Sequence, residues 1–307
     1  MKRTLIWCAG LLFAGSVIAA PDDLEDAYAK LQSAVTGKDA AQVKELAPKV
    51  CELARALAAK PAPQEESEKK VWESAVKYAR DVEVFTEYAL YSTAVQSPPP
   101  VTVELFEMLE RQNPKSKYFS PGYGPYLAAL NQTGQAAKIP TVAERAIAHW
   151  SDDEDLQLVL ADYDMNRTRV AEAGIHAERL VAVLPRHPPP EGVAPAAWER
   201  KRTQALGRGY WIAGQAHATK GEYNLADSDL RSALPLIAGN DAMLAGAYFQ
   251  LGIANYHLGR LALRHTQVQE AAAFSEKAAA IKGPYQQQAW TNAAVMRREA
   301  EKLRGAR

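Results

Sequence analysis

Apolar residues recur along this chain at intervals of three and four, which predicts helices that each bury one stripe. Residues 22–36 and 39–60 carry this pattern with a break at Gly37, and Pro61 and Pro63 end the second stretch. From Gln64 to Gln96 nothing interrupts it. Trp72, Val76, Tyr78, Phe85, Tyr88 and Leu90 keep helical spacing, as one long helix or as two joined near Asp81. Ser97-Pro98-Pro99-Pro100 is a stop, Val101–Gln112 is helical again, and Asn113-Pro114 closes it. Pro185–Pro195 interrupts the later part of the chain, as a kink or as a boundary between two halves. Pro195 suits the first position of a helix, so Ala196–Thr219 is expected to be one long helix carrying Trp198 and Trp211. Tyr285–Leu303 reads as a closing helix with a polar outer face, from Gln286-Gln287-Gln288 to Arg297-Arg298-Glu299.

The helices also recur with a period. Small or turn-forming residues stand at Gly134, Thr168, Gly221 and Gly259. Seven residues before them are Leu127, Ala161, Gly214 and Gly252, and twelve after the first three are Ala146, Leu180 and Ala233. The frame extends backwards to Leu90, Ser97 and Leu109, and Gly134 to Thr168 is 34 residues. Seven residues are two helical turns, so the small residue and the turn share a face and let a second helix approach closely. The pattern is strongest at Tyr210, Ala213, Gly214, His217, Gly221, Tyr223, Ala226, Leu230 and Ala233. The next unit has Tyr248, Leu251, Gly252, Tyr256 and Gly259, then Ala271, Phe274, Ala278 and Pro284, with seven extra residues that would lengthen its helices by two turns. On these residues the chain resembles the tetratricopeptide repeat (TPR) family over roughly residues 83–285, with degenerate units at about 83–116, 120–153 and 154–187.

The resemblance implies an all-α fold: a right-handed α-α superhelix, a TPR-like solenoid of antiparallel helix pairs. The expected layout is a signal peptide at 1–19, an N-terminal helical region at 20–116 with a degenerate repeat, and two degenerate units at 117–187. A Pro-rich insert and helix start follow at 188–206, then two full units at 207–285 and a capping helix at 286–307.

Composition agrees. Alanine, the best helix former, is abundant, and 48% of the 307 residues are apolar. Lys plus Arg and Asp plus Glu are both 36, so the chain lacks the basic footprint of a nucleic-acid binder. Lys2 and Arg3, the apolar run Leu5–Ile18 and the small Ala19 and Ala20 have the layout of a secretory signal peptide cleaved after Ala19; an uncleaved N-terminal anchor is the alternative. The expected location is periplasmic or secreted, with no transmembrane segment after signal removal. Cys51 is then the one remaining cysteine, on an apolar helical stripe, which excludes an internal disulfide.

Catalytic and metal motifs are missing: there is no His-Glu-x-x-His, no Gly-x-Ser-x-Gly, no Cys-x-x-Cys and no phosphate-cradling glycine loop. His257 and His265 are eight apart and do not make a metal site alone. Asp162-Tyr163-Asp164-Met165-Asn166 opens like a calcium loop, but Arg167 stands where glycine is needed and Ala173 where the bidentate Glu belongs. Asp152-Asp153-Glu154-Asp155 is explained by capping of a helix N-terminus. No enzyme activity, cofactor or metal is therefore expected.

In the TPR family the first helix of each pair lines a concave face. By that resemblance the partner-binding groove comprises Asn131, Leu158, Asp162, Met165, Asn166, Arg208, Trp211, Gln215, Phe249, Ile253 and Tyr256. Aromatic and Met anchors beside amides suit a peptide or protein segment. Trp211 and Phe249 are equally compatible with packing between repeats. The expected function is a non-catalytic protein–protein interaction scaffold of the cell envelope. The alternative is a small-ligand or glycan binder using the Pro188–Pro195 region.

Overall fold

The computed structural model describes residues 21–190 and 193–305; the signal-peptide reading of residues 1–19 lies outside them. The described residues form thirteen α-helices and no strand. None of these helices is long and apolar enough to cross a membrane. The described residues divide into two compact units, one up to Gly122 and the other from Tyr123.

The first unit holds α1 (Pro21–Thr36), α2 (Ala40–Ala58), α3 (Glu66–Ala94) and α4 (Pro99–Gln112). The break after α1 is made by Lys38, which adopts φ 56°, rather than by the adjacent Gly37. Asp39 then caps α2 by accepting from the backbone N–H groups of Ala41 and Gln42. The uninterrupted stretch is one helix, and Asp81 lies within it without a break. Of the three prolines that stop it, Pro99 and Pro100 already form the first turn of α4, where a missing N–H has no intrahelical partner to lose. Trp72 donates from Nε1 to the Lys60 carbonyl at 2.9 Å, tying α3 to the end of α2. Val43, Ala47, Val50, Ala54, Leu105, Phe106 and Leu109 are buried. Cys51 is buried among them, and burial pushes its thiol up. Aromatic rings run through this unit. Tyr28 meets Phe85 at 5.1 Å, Tyr91 stacks on Tyr118 at 5.6 Å, and Phe106 meets Phe119 at 6.3 Å.

The second unit holds α5 (Tyr123–Gln132), α6 (Ile139–Ile147), α7 (Glu154–Asn166), α8 (Val170–Val183), α9 (Pro195–Lys220), α10 (Tyr223–Ala233), α11 (Asp241–Leu261), α12 (His265–Ala280) and α13 (Gln286–Gly305). Consecutive helices pack on one another from α5 to α13, and the 3-10 turn Leu184–Arg186 also touches α9. In addition α5 touches α7, α7 touches α9, α9 touches α11 and α11 touches α13. No even-numbered pair in this unit has contact of that extent among the described residues. The odd-numbered helices thus form a continuous layer, and the even-numbered ones sit against its back.

The turns follow from local chemistry. Gly134 (φ 73°), Thr168 (φ 59°) and Gly221 (φ 77°) adopt the left-handed conformation at the expected positions. The fourth turn differs: Gly259 lies inside α11, and Leu263 (φ 51°) takes the left-handed role. The reason is packing. A Cβ at Gly259 would stand 2.8 Å from Val268 Cγ2 and 2.9 Å from the Val268 backbone nitrogen, so this glycine admits α12 rather than ending α11. His257 and His265 therefore fall on different helices, and His257 stacks instead on Tyr223 at 4.3 Å. The small residues before the turns act as the spacing predicts: a Cβ at Gly214 would lie 2.5 Å from Leu230 Cγ, and Ala161 is fully buried.

Candidate partner-binding face

Residues expected to bind a partner lie on α5, α7, α9 and α11, the odd layer. Asp162 on α7 pairs with Arg208 on α9 at 2.6 Å. The Arg208 guanidinium lies 4.8 Å from the centroid of Trp211, one turn further along α9. Trp211 in turn donates from Nε1 to the Met243 carbonyl at 2.9 Å, reaching the first turn of α11. It also packs, beside Met165, on the cluster of Ala161, Ala173, Ala177, Ile212 and Ala213, and with Met243 on the cluster around Leu230 and Leu251. Trp211 thus serves as packing between helices and keeps part of its surface open. The Arg208–Asp162 pair is partly exposed and contributes at most about 1 kcal/mol, so it orients the ring more than it stabilises the fold.

One turn after Trp211 stands Gln215. It is 6% exposed, and its Nε2 is buried with no hydrogen-bond partner among the described residues. Phe249 on α11 meets Tyr285, just before α13, at 4.9 Å. The other expected residues lie farther along the layer. Leu158 packs on Leu180, Leu184, Trp198 and Ala205. Tyr256 packs on Val268 and Ala271, with Arg260 5.6 Å from its ring centroid. Ile253 is half-buried on α11, and Asn131 and Asn166 are exposed at the ends of α5 and α7. Met243, Gly246 and Tyr285 lie against these residues and were not among those expected. Their signal is faint: a glycine in a helix interior that the repeat frame does not require, and a tyrosine assigned to the closing helix.

Two charged clusters flank this face. At the start of α7, Asp153 caps the helix by accepting from the N–H groups of Asp155 and Leu156. Lys201 on α9 bonds Asp155 Oδ2 at 2.7 Å and Glu154 Oε1 at 3.1 Å, and His187 Nδ1 lies 2.8 Å from Glu154 Oε2. Burial raises the Asp155 carboxyl against the pull of Lys201. Burial also acts to raise Glu154, but Lys201, a backbone N–H and His187 outweigh it and hold that carboxyl low. Asp153 has no such cation in direct contact, and burial pushes it up to about 7. A carboxyl raised in the folded state binds its proton more tightly there than in the unfolded chain. Its contribution to stability is complete below 3.8 and is lost as pH rises through about 7. Asn keeps the capping oxygen without the charge. Asp153→Asn is therefore expected to be more stable than the parent above pH 7, with the difference shrinking towards pH 4. Asp153→Ala is expected to lose about 1 kcal/mol of cap energy. Urea unfolding at several pH values measures both, and a pH-independent difference for Asn would contradict the assignment.

The second cluster surrounds buried His217. Its Nδ1 lies 2.6 Å from Glu222 Oε2, and its Nε2 faces Asp229 at 3.4 Å and Glu178 at 3.6 Å. Burial raises the Asp229 carboxyl, opposed by His217. The ring joins α8, α9 and α10 through carboxylates on both of its nitrogens. Among the described residues no group of three or more His, Cys, Asp or Glu is placed to hold a metal ion. In the calcium-like stretch, Asp162 is engaged by Arg208 and Asp164 by Arg169, all within or beside α7. A recess of about 390 Å³ includes Glu276, Arg297 and Arg304 between α12 and α13, and one of about 340 Å³ includes Cys51, Arg55 and Met108 in the first unit. In comparisons with known proteins no family model matches the chain, and no curated protein matches it.

Proposed function

We propose that this protein is an exported, non-catalytic interaction scaffold that holds a peptide or protein segment of the cell envelope. In this reading the second unit is a right-handed superhelix of antiparallel helix pairs of the tetratricopeptide type, and the layer of α5, α7, α9 and α11 is its concave wall. The observation that carries the reading is Gln215: a side-chain amide 6% exposed, with an unpartnered Nε2, beside Trp211 on that layer. A buried donor without an acceptor costs about 1–3 kcal/mol, and an incoming acceptor group recovers that cost on binding. Half-buried Trp211 and Phe249 add the aromatic area that anchors partner segments. The alternation of odd-odd contacts with even helices behind supports a wall made by one helix of each pair.

The test is photo-crosslinking in the cells that make the protein. A benzophenone amino acid is placed at Asn131 or Asn166, exposed on the odd layer, or at Ile175 or Leu225, exposed on α8 and α10. The expected result is a discrete adduct with the same partner from the odd-layer positions and none from the other two. Adducts from α8 and α10 alone would overturn the assignment of the face.

A further inference from the structure

His217 is 7% exposed near the end of α9, with acidic groups on both sides of its ring. Nδ1 lies 2.6 Å from Glu222 Oε2, in the turn before α10. Nε2 faces carboxylates from the helices on either side: Asp229 of α10 at 3.4 Å and Glu178 of α8 at 3.6 Å. Lys220, on the same helix as the ring, adds a cation 3.8 Å from Glu178. From α7 and α11, which also pack on α9, no ion pair reaches the ring among the described residues. A neutral imidazole has one N–H and one lone pair. The close contact to Glu222 takes the N–H, so a neutral ring turns its Nε2 lone pair towards two carboxylates. The imidazolium instead has an N–H on both nitrogens and a charge that all three acids attract. Burial raises the Asp229 carboxyl, and a charged His217 opposes that rise.

We propose that His217 is a proton-controlled strut: with both ring nitrogens protonated it holds α10 against α8 and α9, and loss of the Nε2 proton lets α10 move away. The proposal stands on the packing of the second unit and does not depend on a bound partner. Three features carry it. The backbones are close on both sides of the ring, for a Cβ at Gly174 on α8 would stand 2.5 Å from Ala216 Cβ, and one at Gly214 would stand 2.5 Å from Leu230 Cγ on α10. Glu178 and Glu222 are long and nearly half exposed, so they can turn to solvent, whereas Asp229 is short and 21% exposed and leaves the ring only if α10 moves. Lastly, α10 packs on α11 as well as on α9, so its movement changes how those two odd-layer helices are held together. Imidazole is the side chain whose charge changes between about pH 5 and 8, which makes the odd layer responsive to proton concentration.

The test measures the distance between α8 and α10. A ketone-bearing amino acid replaces Ile175 on α8 and Leu225 on α10, both exposed, and takes up nitroxide labels while both cysteines stay unchanged. Electron–electron double resonance then gives the spacing from pH 5 to pH 9. The expected result is a spacing at pH 9 that is longer than at pH 5 by about 2–3 Å, the width of one water molecule. His217→Gln has no ring proton to lose and is expected to show the same spacing at both pH values. If that variant loses its helical circular dichroism, Glu178→Gln combined with Asp229→Asn decides the question. Its amides can donate to a neutral Nε2, so it is expected to keep the short spacing at pH 9. A parent spacing that does not lengthen between pH 5 and pH 9 overturns the proposal, as does a lengthening that persists in either folded variant.

Discussion

Leu230→Ala is expected to destabilise the second unit by about 2–5 kcal/mol. Leu230 is fully buried on α10 and packs with Ala233, Ile237, Ala247, Leu251 and Phe274 between α9, α10, α11 and α12. Its Cγ and Cδ2 would stand 2.5 and 2.7 Å from a Cβ on Gly214, so the leucine occupies the place where a residue of α9 has no side chain. Removing it leaves a cavity that helix backbones cannot close. The converse change, Gly214→Ala, is expected to cost about 1–3 kcal/mol through overpacking, offset in part by about 1 kcal/mol of helix propensity. The double variant places a methyl where the leucine was. It is therefore expected to be less destabilised than the sum of the single changes, by about 1 kcal/mol or more. Urea unfolding followed by circular dichroism measures all four corners of the cycle. Additive effects would mean that α9 and α10 do not interlock at this pair.

In the first unit the largest expected effect is at Phe106. Phe106→Ala should cost about 3–5 kcal/mol. The ring is fully buried on α4, 6.4 Å from Tyr91 and 6.3 Å from Phe119 between centroids. A Cβ on Gly122 would lie 2.6 Å from its Cε1, so the chain after α4 wraps the ring at glycine distance. Amide hydrogen exchange is the appropriate measurement, because it reads α3 and α4 separately from the second unit. Loss of protection is expected in α3 and α4, with loss of the near-ultraviolet signal of the stacked Tyr91 and Tyr118. Phe106→Leu retains most of the buried area and should keep most of the protection. Unchanged exchange in α3 and α4 of the alanine variant would show that the ring does not hold these helices together.

Among the candidate site residues, Arg208, Trp211 and Gln215 were legible together because they are spaced three and four apart on one helix, which places them on one face whatever surrounds it. Asp162 and Met165 share a face of α7 for the same reason. That Asp162 pairs with Arg208, 46 positions away, was not legible, since it depends on how closely α7 and α9 approach. Tyr285 was missed for a like reason: it reaches Gly246 and Phe249 only because α13 folds back onto α11. Gly246 was not legible either, since the sequence does not say that Trp211, Gln215 and Tyr285 surround it.

Helix content, most helix ends and the left-handed turns at Gly134 and Gly221 were decided by the order of residues alone, because caps, prolines and glycines act through bonds and clashes within about one turn of the backbone. Tertiary packing decided the remainder. It carried α3 through Asp81 without a break, moved the last turn from Gly259 to Leu263, and left the buried Gln215 Nε2 without a hydrogen-bond partner among the described residues. Each of these outcomes depends on which atoms of distant helices come within contact distance, and a local pattern of apolar and polar residues says which face will be buried but not which side chains will meet there.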